Sequence, residues 1–258
     1  MIKEQEKLIN TIKGLENLPH SILLVGEEGS GHIEVCNYIS NLFDLAIYDL
    51  TEFISNEFID EINASNTRSL YYINMSSIGE REQNIILKLY EEPSPYCYII
   101  LNCESEDAVI DTIKSRSYIL KFEKYKKDYL KELIIKKESS DLILKICTTP
   151  GQIELANYTN VEALYELCEK IWSLLKDANF QNTLSIANKV NFKDEYDKFD
   201  LSLFLKAMKI TLLEANINNK IKLYEVLLNC SKYIKNMNNK QTYFENMLIN
   251  LWLLSKEN

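Results

Sequence analysis

Gly26-Glu27-Glu28-Gly29-Ser30-Gly31-His32-Ile33 follows the apolar run Ile22-Leu23-Leu24-Val25 and leads into a helical pattern. A G-x-x-x-x-G spacing between a strand and a helix is the frame of a phosphate-binding loop, in which backbone N–H groups and a helix N-terminus receive the anion. The frame marks its surroundings as α/β. Its chemistry is altered. The motif's lysine neutralises the outer phosphates and its Ser or Thr hydroxyl ligates magnesium, whereas His32 and Ile33 hold those places, with Glu27 and Glu28 adding negative charge nearby. Two readings stand on these residues: bare nucleotide binding without turnover, through loop amides and the helix start, or a structural turn that joins strand to helix. The substitutions favour the turn.

Working outward, strand-like and helix-like patterns alternate up to about residue 125, which predicts a mostly parallel sheet with helices on its faces. The expected strands are His20 to Val25, Leu45 to Tyr48, Ser69 to Asn74, Tyr96 to Asn102 and Tyr118 to Phe122. Among the helices between them, the best-marked spans Glu80 to Glu91. Ser77 and Glu80 suggest a capping box, Ile85, Ile86 and Leu89 share a face, and Pro93 forbids continuation.

From about Lys126 strand signals give way to helical periodicity. Lys127 to Lys137, Ser139 to Cys147 and Gly151 to Tyr158 read as three short helices, a small lid over residues 126–158. Longer amphipathic runs follow: Val161 to Lys176, Leu201 to Ala215, Lys220 to Lys235 and Thr242 to Leu254, separated by Asn-rich joints. Residues 159–258 are therefore expected to form an all-α bundle, after an α/β domain over residues 1–125.

The 258-residue chain is 46% hydrophobic and 26% charged with only six Gly and four Pro, a helix-rich globular composition rather than a disordered or fibrous one. A formal net charge of -9 argues against a general grip on DNA, because phosphate binding runs on clustered Lys and Arg. Six cysteines without a C-x-x-C pair, and two histidines, assemble no zinc ligand set. No signal peptide and no bilayer-length apolar run is visible, so a reduced, cytoplasmic protein with core thiols is expected. Cys97 and Cys103 fall on one face of one strand, too far apart to bridge.

The segment Asn84-Ile85-Ile86-Leu87-Lys88-Leu89-Tyr90-Glu91-Glu92-Pro93 resembles the N-x-L-L-K-x-L-E-E-P signature of bacterial clamp-loader subunits, and Asp111-Thr112-Ile113-Lys114-Ser115-Arg116-Ser117 is similar to their T-I-x-S-R-C motif with Ser117 in place of cysteine. A weaker likeness covers Asn239 to Leu253 and the family's last collar helix. Within that family the chain resembles the delta prime subunit of the DNA polymerase III clamp loader, a kind without ATP chemistry of its own. This chain departs from the pattern in lacking the cysteine-rich zinc module and in the short interval between Gly31 and Leu70.

The resemblance implies a RecA-like AAA+ domain, a helical lid and a helical collar that joins subunits into a ring. In an active AAA+ protein the strand ending at Ile73 would lead into Asp-Glu, which hold magnesium and polarise water; Asn74 and Met75 stand there, a weaker metal ligand and a group that accepts no proton. Arg116, supported by Ser115, matches the arginine that reaches across a subunit boundary to a neighbour's ATP, set against the plain alternative of a solvated arginine after a short helix. The function implied is a non-hydrolysing clamp-loader subunit, with no cofactor of its own and ATP held by the neighbour. Implied partners are gamma/tau-like ATPase subunits, a delta-like subunit, the sliding clamp and, indirectly, primed DNA. The rivals are an autonomous ATPase with an atypical loop and a scaffold outside replication.

Other candidates carry less. Glu91 and Glu92 are adjacent on a helix and diverge, and His32 has no Asp or Ser partner for a triad. Between Lys114 and Lys137 nine Lys or Arg residues stand against three Asp or Glu, a basic segment that reads first as a solvated helical surface and second as a face for DNA or a neighbour's nucleotide.

Overall fold

The computed structural model describes residues 3–51, 54–91, 93–176, 180–187, 200–233 and 239–256. The chain divides into two units, Met1–Lys126 with Thr149–Gly151, and Lys127–Thr148 with Gln152–Asn258. The first unit runs α1 (Glu6–Lys13), β1 (Ser21–Val25), α2 (His32–Phe43), β2 (Ala46–Asp49), α3 (Asn56–Ala64), β3 (Ser69–Asn74), a 3-10 turn (Met75–Ser77), α4 (Glu80–Ile86), α5 (Lys88–Glu91), β4 (Cys97–Cys103), α6 (Asp111–Lys114) and β5 (Tyr118–Lys121). Its five described strands form one parallel sheet in the order β2-β3-β4-β1-β5, the parallel sheet that the alternating pattern predicts and the RecA-like arrangement that the resemblance implies.

The period of two along each strand sorts the core into two layers. Leu23, Ile73, Ile99 and Leu101 face one side with Ile59 and Ile62 of α3, Ile86 of α4, Leu89 of α5 and Ile113 of α6. Ile22, Leu24, Leu70, Tyr72 and Ile100 face the other with Leu8 and Ile12 of α1 and Val35, Cys36 and Ile39 of α2. Strands buried on both faces are continuous apolar runs, which is why β1 and β4 read so clearly in the sequence.

The second unit is helical: α7 (Lys127–Glu132), α8 (Ser140–Ile146), most of α9 (Pro150–Asn157), α10 (Val161–Lys176), α11 (Phe180–Ala187), α12 (Leu201–Glu214), α13 (Lys220–Tyr233) and α14 (Lys240–Ser255). α12 lies between α10 and α13, and α13 meets α14. Phe204 and Phe244, both fully buried, meet edge to face at 5.3 Å, and Trp172 Nε1 donates to Thr211 Oγ1 at 2.9 Å. Asp200 caps α12 by accepting from Leu203 N at 2.8 Å.

Several boundaries differ from expectation. The helix over Glu80 to Glu91 is two segments meeting at Leu87, and its N-cap is Gly79, with no side-chain cap, instead of the expected Ser77. Glu92 lies outside the described residues. The first lid helix stops at Glu132 instead of continuing to Lys137, because the Asn157 carboxamide donates to Leu133 O at 3.0 Å and accepts from Ile135 N at 2.9 Å, taking the backbone groups that a helix would use. The last helix starts at Lys240, two residues early, since Asn239 caps it through Thr242 N at 3.2 Å. The end of the expected Lys220 to Lys235 helix, beyond Tyr233, lies outside the described residues.

Candidate functional site

The loop after β1 leaves the sheet under backbone control. Gly26 N donates to Cys103 O at 3.0 Å, and Phe122 N donates to Val25 O at 2.9 Å, so the sheet ladder continues on both sides to the loop's first residue. Gly29 (φ 80°) and Gly31 (φ 96°) are left-handed, conformations that favour glycine, and Gly31 forms the N-cap of α2. Gly26 is needed for another reason. A Cβ there would stand 2.5 Å from Phe122 Cδ2, so the aromatic ring occupies the space beside the glycine.

Phe122 also receives His32. The imidazole, 8% exposed, meets the phenyl ring edge-on at 4.8 Å and 62°. Where a phosphate loop presents a long flexible ammonium, this chain holds a short ring in aromatic packing. Ile33, at the hydroxyl position, is an exposed apolar side chain. Three carbonyls of the loop are tied down: Thr149 Oγ1 donates to Glu28 O at 2.7 Å, Gly151 N to Gly29 O at 3.0 Å and Tyr125 Oη to Ser30 O at 2.6 Å. Gly151 approaches so closely that a Cβ on it would be 2.7 Å from Gly29 Cα.

At the end of β3, Asn74 Oδ1 accepts from Ser76 N at 3.0 Å and from Ser76 Oγ, closing a turn into the 3-10 segment. Asn74 N donates to Thr51 Oγ1 at 3.1 Å, and Thr51 in turn donates to Asp49 from its N at 2.9 Å and its Oγ1 at 2.6 Å. Met75, 2% exposed, belongs to the apolar core. One of the two positions therefore shapes a turn and the other fills the interior. Across the sheet Asn74 pairs in register with Asn102, whose buried Oδ1 has no hydrogen-bond partner among the described residues.

Arg116 follows α6 and is exposed, as is Ser115. Its Nη1 donates to Thr112 O at 3.0 Å and lies 3.5 Å from Ser115 Oγ. No carboxylate among the described residues lies within ion-pair distance of it. The acid on the same turn, Asp111, is engaged by Lys114 at 2.7 Å, a contact that holds the carboxyl below its ordinary value and raises the lysine. Because every strand is parallel and Ile22 pairs with Tyr118, Arg116 stands at the amino end of β5 and β1 while the loop stands at their carboxyl end. Four residue steps of strand, about 13 Å, lie between those ends. The structure does not bring Arg116 to the chain's own loop.

Two residues that sequence reasoning passed over hold the Arg116 turn. Gln83 of α4, buried, donates Nε2 to Ala108 O at 2.9 Å and accepts Ile110 N at 3.0 Å. Ser117 Oγ donates to Ile113 O at 2.9 Å and lies 3.2 Å from Ser21 Oγ and 3.5 Å from Tyr90 Oη. Burial raises the Tyr90 phenol above its ordinary value, with the two serines opposing that shift. The signal available was a glutamine amid Ile and Leu on a helix, a polar group that burial obliges to find partners.

The basic segment is not a single free face. Lys121 pairs with Glu106, Lys126 with Glu4 at 3.0 Å, and Lys136 and Lys137 donate to the carbonyls of Thr159 at 2.8 Å and Lys131 at 3.1 Å. The segment is also divided between the two units after Lys126. All six cysteines are buried free thiols, and desolvation pushes Cys36, Cys97 and Cys147 up to about 12. Among the described residues no group of three or more His, Cys, Asp or Glu could hold a metal ion, and no helix is long and apolar enough to cross a membrane.

Comparison with known proteins adds one family. Residues 49–126 match the profile described as "DNA polymerase III, delta subunit", a span from the last residue of β2 to Lys126 that includes the Arg116 turn. No curated protein matches the chain. Similar solved structures include a DNA polymerase III gamma subunit-related protein from Thermotoga maritima, 17% identical, covering 98% of this chain and 100% of that one with a TM-score of 0.48. A variant of RuvB from the same organism is 14% identical and covers 95% of this chain and 80% of that one, also with a TM-score of 0.48. The RuvB Holliday junction branch migration motor is 13% identical over 90% of this chain and 76% of that one, with a TM-score of 0.46.

Proposed function

We propose that this chain is a non-hydrolysing subunit of a DNA polymerase III-type clamp loader, similar to delta prime, that lends Arg116 in trans to ATP held by a neighbouring ATPase subunit. The observation that carries the reading is the placement of Arg116: exposed, without a carboxylate partner among the described residues, and at the end of the sheet opposite the chain's own loop. A guanidinium so placed has a partner's phosphate as its target rather than its own. The family match over residues 49–126 supports the replication context.

The chain's own site lacks the means for hydrolysis. Phosphoryl transfer depends on positioned positive charge and a group that orients water, and here the loop and the start of α2 offer His32 packed on Phe122 and Ile33, and the end of β3 offers Asn74 used in a turn and Met75 in the core. Residues 126–158 are then the lid and residues 159–258 the collar that binds gamma/tau-like ATPase and delta-like subunits, in an assembly that places a sliding clamp on primed DNA. Ser115 supports the arginine's turn by donating to Thr112 O at 3.2 Å.

The test is ATP turnover by the complex reconstituted with an ATPase subunit that carries an intact G-x-x-x-x-G-K-[ST] loop. R116A should slow the site it completes by about a thousandfold or more. Unchanged turnover in a correctly assembled complex refutes the finger. Phosphate release by the isolated chain would favour the autonomous-ATPase alternative instead.

A further inference from the structure

The turn that carries Arg116 is gripped at both ends from one helical strut. α4 and α5 follow a nearly continuous right-handed path, with Leu87 in helical geometry and Leu87 N and Glu91 N still donating to residues four back, at 3.2 and 3.1 Å. Gln83 and Tyr90 are seven residues apart, about two turns, and so share a face. From that face Gln83 reaches the stretch Ala108–Ile110 that enters α6, and Tyr90 reaches Ser117, which leaves it.

The two grips differ in kind. The Gln83 amide reproduces one rung of a β-ladder, donor to a carbonyl and acceptor from an N–H two residues on, and a buried amide with both bonds made has no other low-energy orientation. The hydroxyls of Ser21, Ser117 and Tyr90 tie the exit of the turn to the first residue of β1. Among the described residues the Arg116 side chain is hydrogen-bonded within its own turn, to Thr112 and Ser115, and to neither grip. What fixes where its guanidinium starts from is thus the pair of clasps on either side.

We propose that Gln83 and Tyr90 are positioning residues that set the reach of Arg116 toward the neighbour's phosphate, an inference that rests on the in-trans reading given above. Catalytic arrangements lose up to about a hundredfold for a displacement of about 1 Å. Gln83→Leu removes both bonds at the entrance, and Tyr90→Phe removes one hydroxyl at the exit while keeping the ring.

The experiment uses the full chain in complex with its loop-intact ATPase partner and measures kcat and KM for ATP in Q83L, Y90F, R116A and the doubles Q83L/R116A and Y90F/R116A. Q83L is expected to lower kcat at the completed site about ten- to a hundredfold and Y90F several-fold, with KM little changed. Each double should turn over no more slowly than R116A alone, since a residue acting through the arginine has nothing left to position. If R116A slows turnover while Q83L and Y90F do not, the inference is overturned and the finger stands. If the doubles are slower than R116A by the same factors as the single variants, Gln83 and Tyr90 act through the fold at large and the inference is overturned. If R116A turns over normally, the finger reading fails first and the inference falls with it.

Discussion

Gly26→Ala isolates the packing of Phe122 against the loop that follows β1. The new methyl would lie 2.5 Å from Phe122 Cδ2 and 3.0 Å from Cβ and Cγ of the same ring, against about 3.5 to 4.0 Å for carbon atoms in comfortable contact. The ring must therefore move by about 1 Å, and because its Cβ is among the crowded atoms, rotation about the side chain alone does not relieve the clash. Gly26 lies outside the left-handed region, unlike Gly29 and Gly31, so the backbone accepts alanine and the cost is overpacking. That cost is about 1 to 3 kcal/mol. For the first unit it corresponds to a fall in Tm of roughly 3 to 12 °C. The assay is a double-mutant cycle by denaturant unfolding with Phe122→Ala, which removes the obstructing ring at its own price in lost packing. The double variant should be more stable than the sum of the singles by about 1 kcal/mol or more. Additivity within about 0.5 kcal/mol would show that the ring does not occupy the space beside the glycine, and would remove the physical basis for a loop closed by aromatic packing.

Two further outcomes follow from buried titratable groups. Burial lowers the His20 imidazole from 6.5, and both ring nitrogens lack a hydrogen-bond partner among the described residues while the ring meets Tyr98 at 6.4 Å. A depressed folded value means the unfolded chain takes up the proton first, so this contribution to stability is present above 6.5 and is lost as pH falls below it. H20F should flatten the denaturation midpoint against pH as pH falls below 6.5, with a slope difference of at most about 1.4 kcal/mol per pH unit; parallel curves for the two proteins would contradict it. The thiols of Cys36, Cys97 and Cys147, raised to about 12, should react with iodoacetamide at pH 9 two to three orders of magnitude more slowly in the native than in the unfolded chain, as read by mass spectrometry.

Two-sided burial leaves unbroken apolar runs, which makes β1, β3 and β4 legible in the sequence, Ser69–Asn74 to the residue; the edge strands β2 and β5 are mostly exposed, and their place in the alternation marks them within one position. The helices were legible where their periodicity was long, as in Val161–Lys176. They were misjudged where a distant polar side chain decided the ending. Asn157 stops α7 from 22 and 24 residues away, and no local pattern contains that information. At the candidate site the altered loop residues and Arg116 were visible as identities at fixed spacings. Phe122 was not, since in sequence it is only the last apolar residue of a strand; its role appears when the parallel register sets it beside Gly26 and His32. Gln83 and Tyr90 were hidden for the same reason, their partners lying 25 and 27 residues along the chain.

On the proposed reading, the same register accounts together for the residues that stand at the loop and at the end of β3. With Phe122 seated beside Gly26 and against residue 32, a lysine at that position would have its stem and ammonium packed on an aromatic ring in a site 8% exposed, where burial penalises the charged form. Without a fixed positive charge at position 32, backbone dipoles are what residue 32 and the helix start leave for a phosphate in the loop. A carboxylate at position 74 or 75 would then have no magnesium to share. Asn74 serves better there as a turn-closing amide, and Met75 as core. None of this packing extends to the other end of the sheet. Arg116 is anchored through α4, α5 and the start of β1, so the carboxyl ends of the strands can be closed by side chains while the amino ends still present a cation.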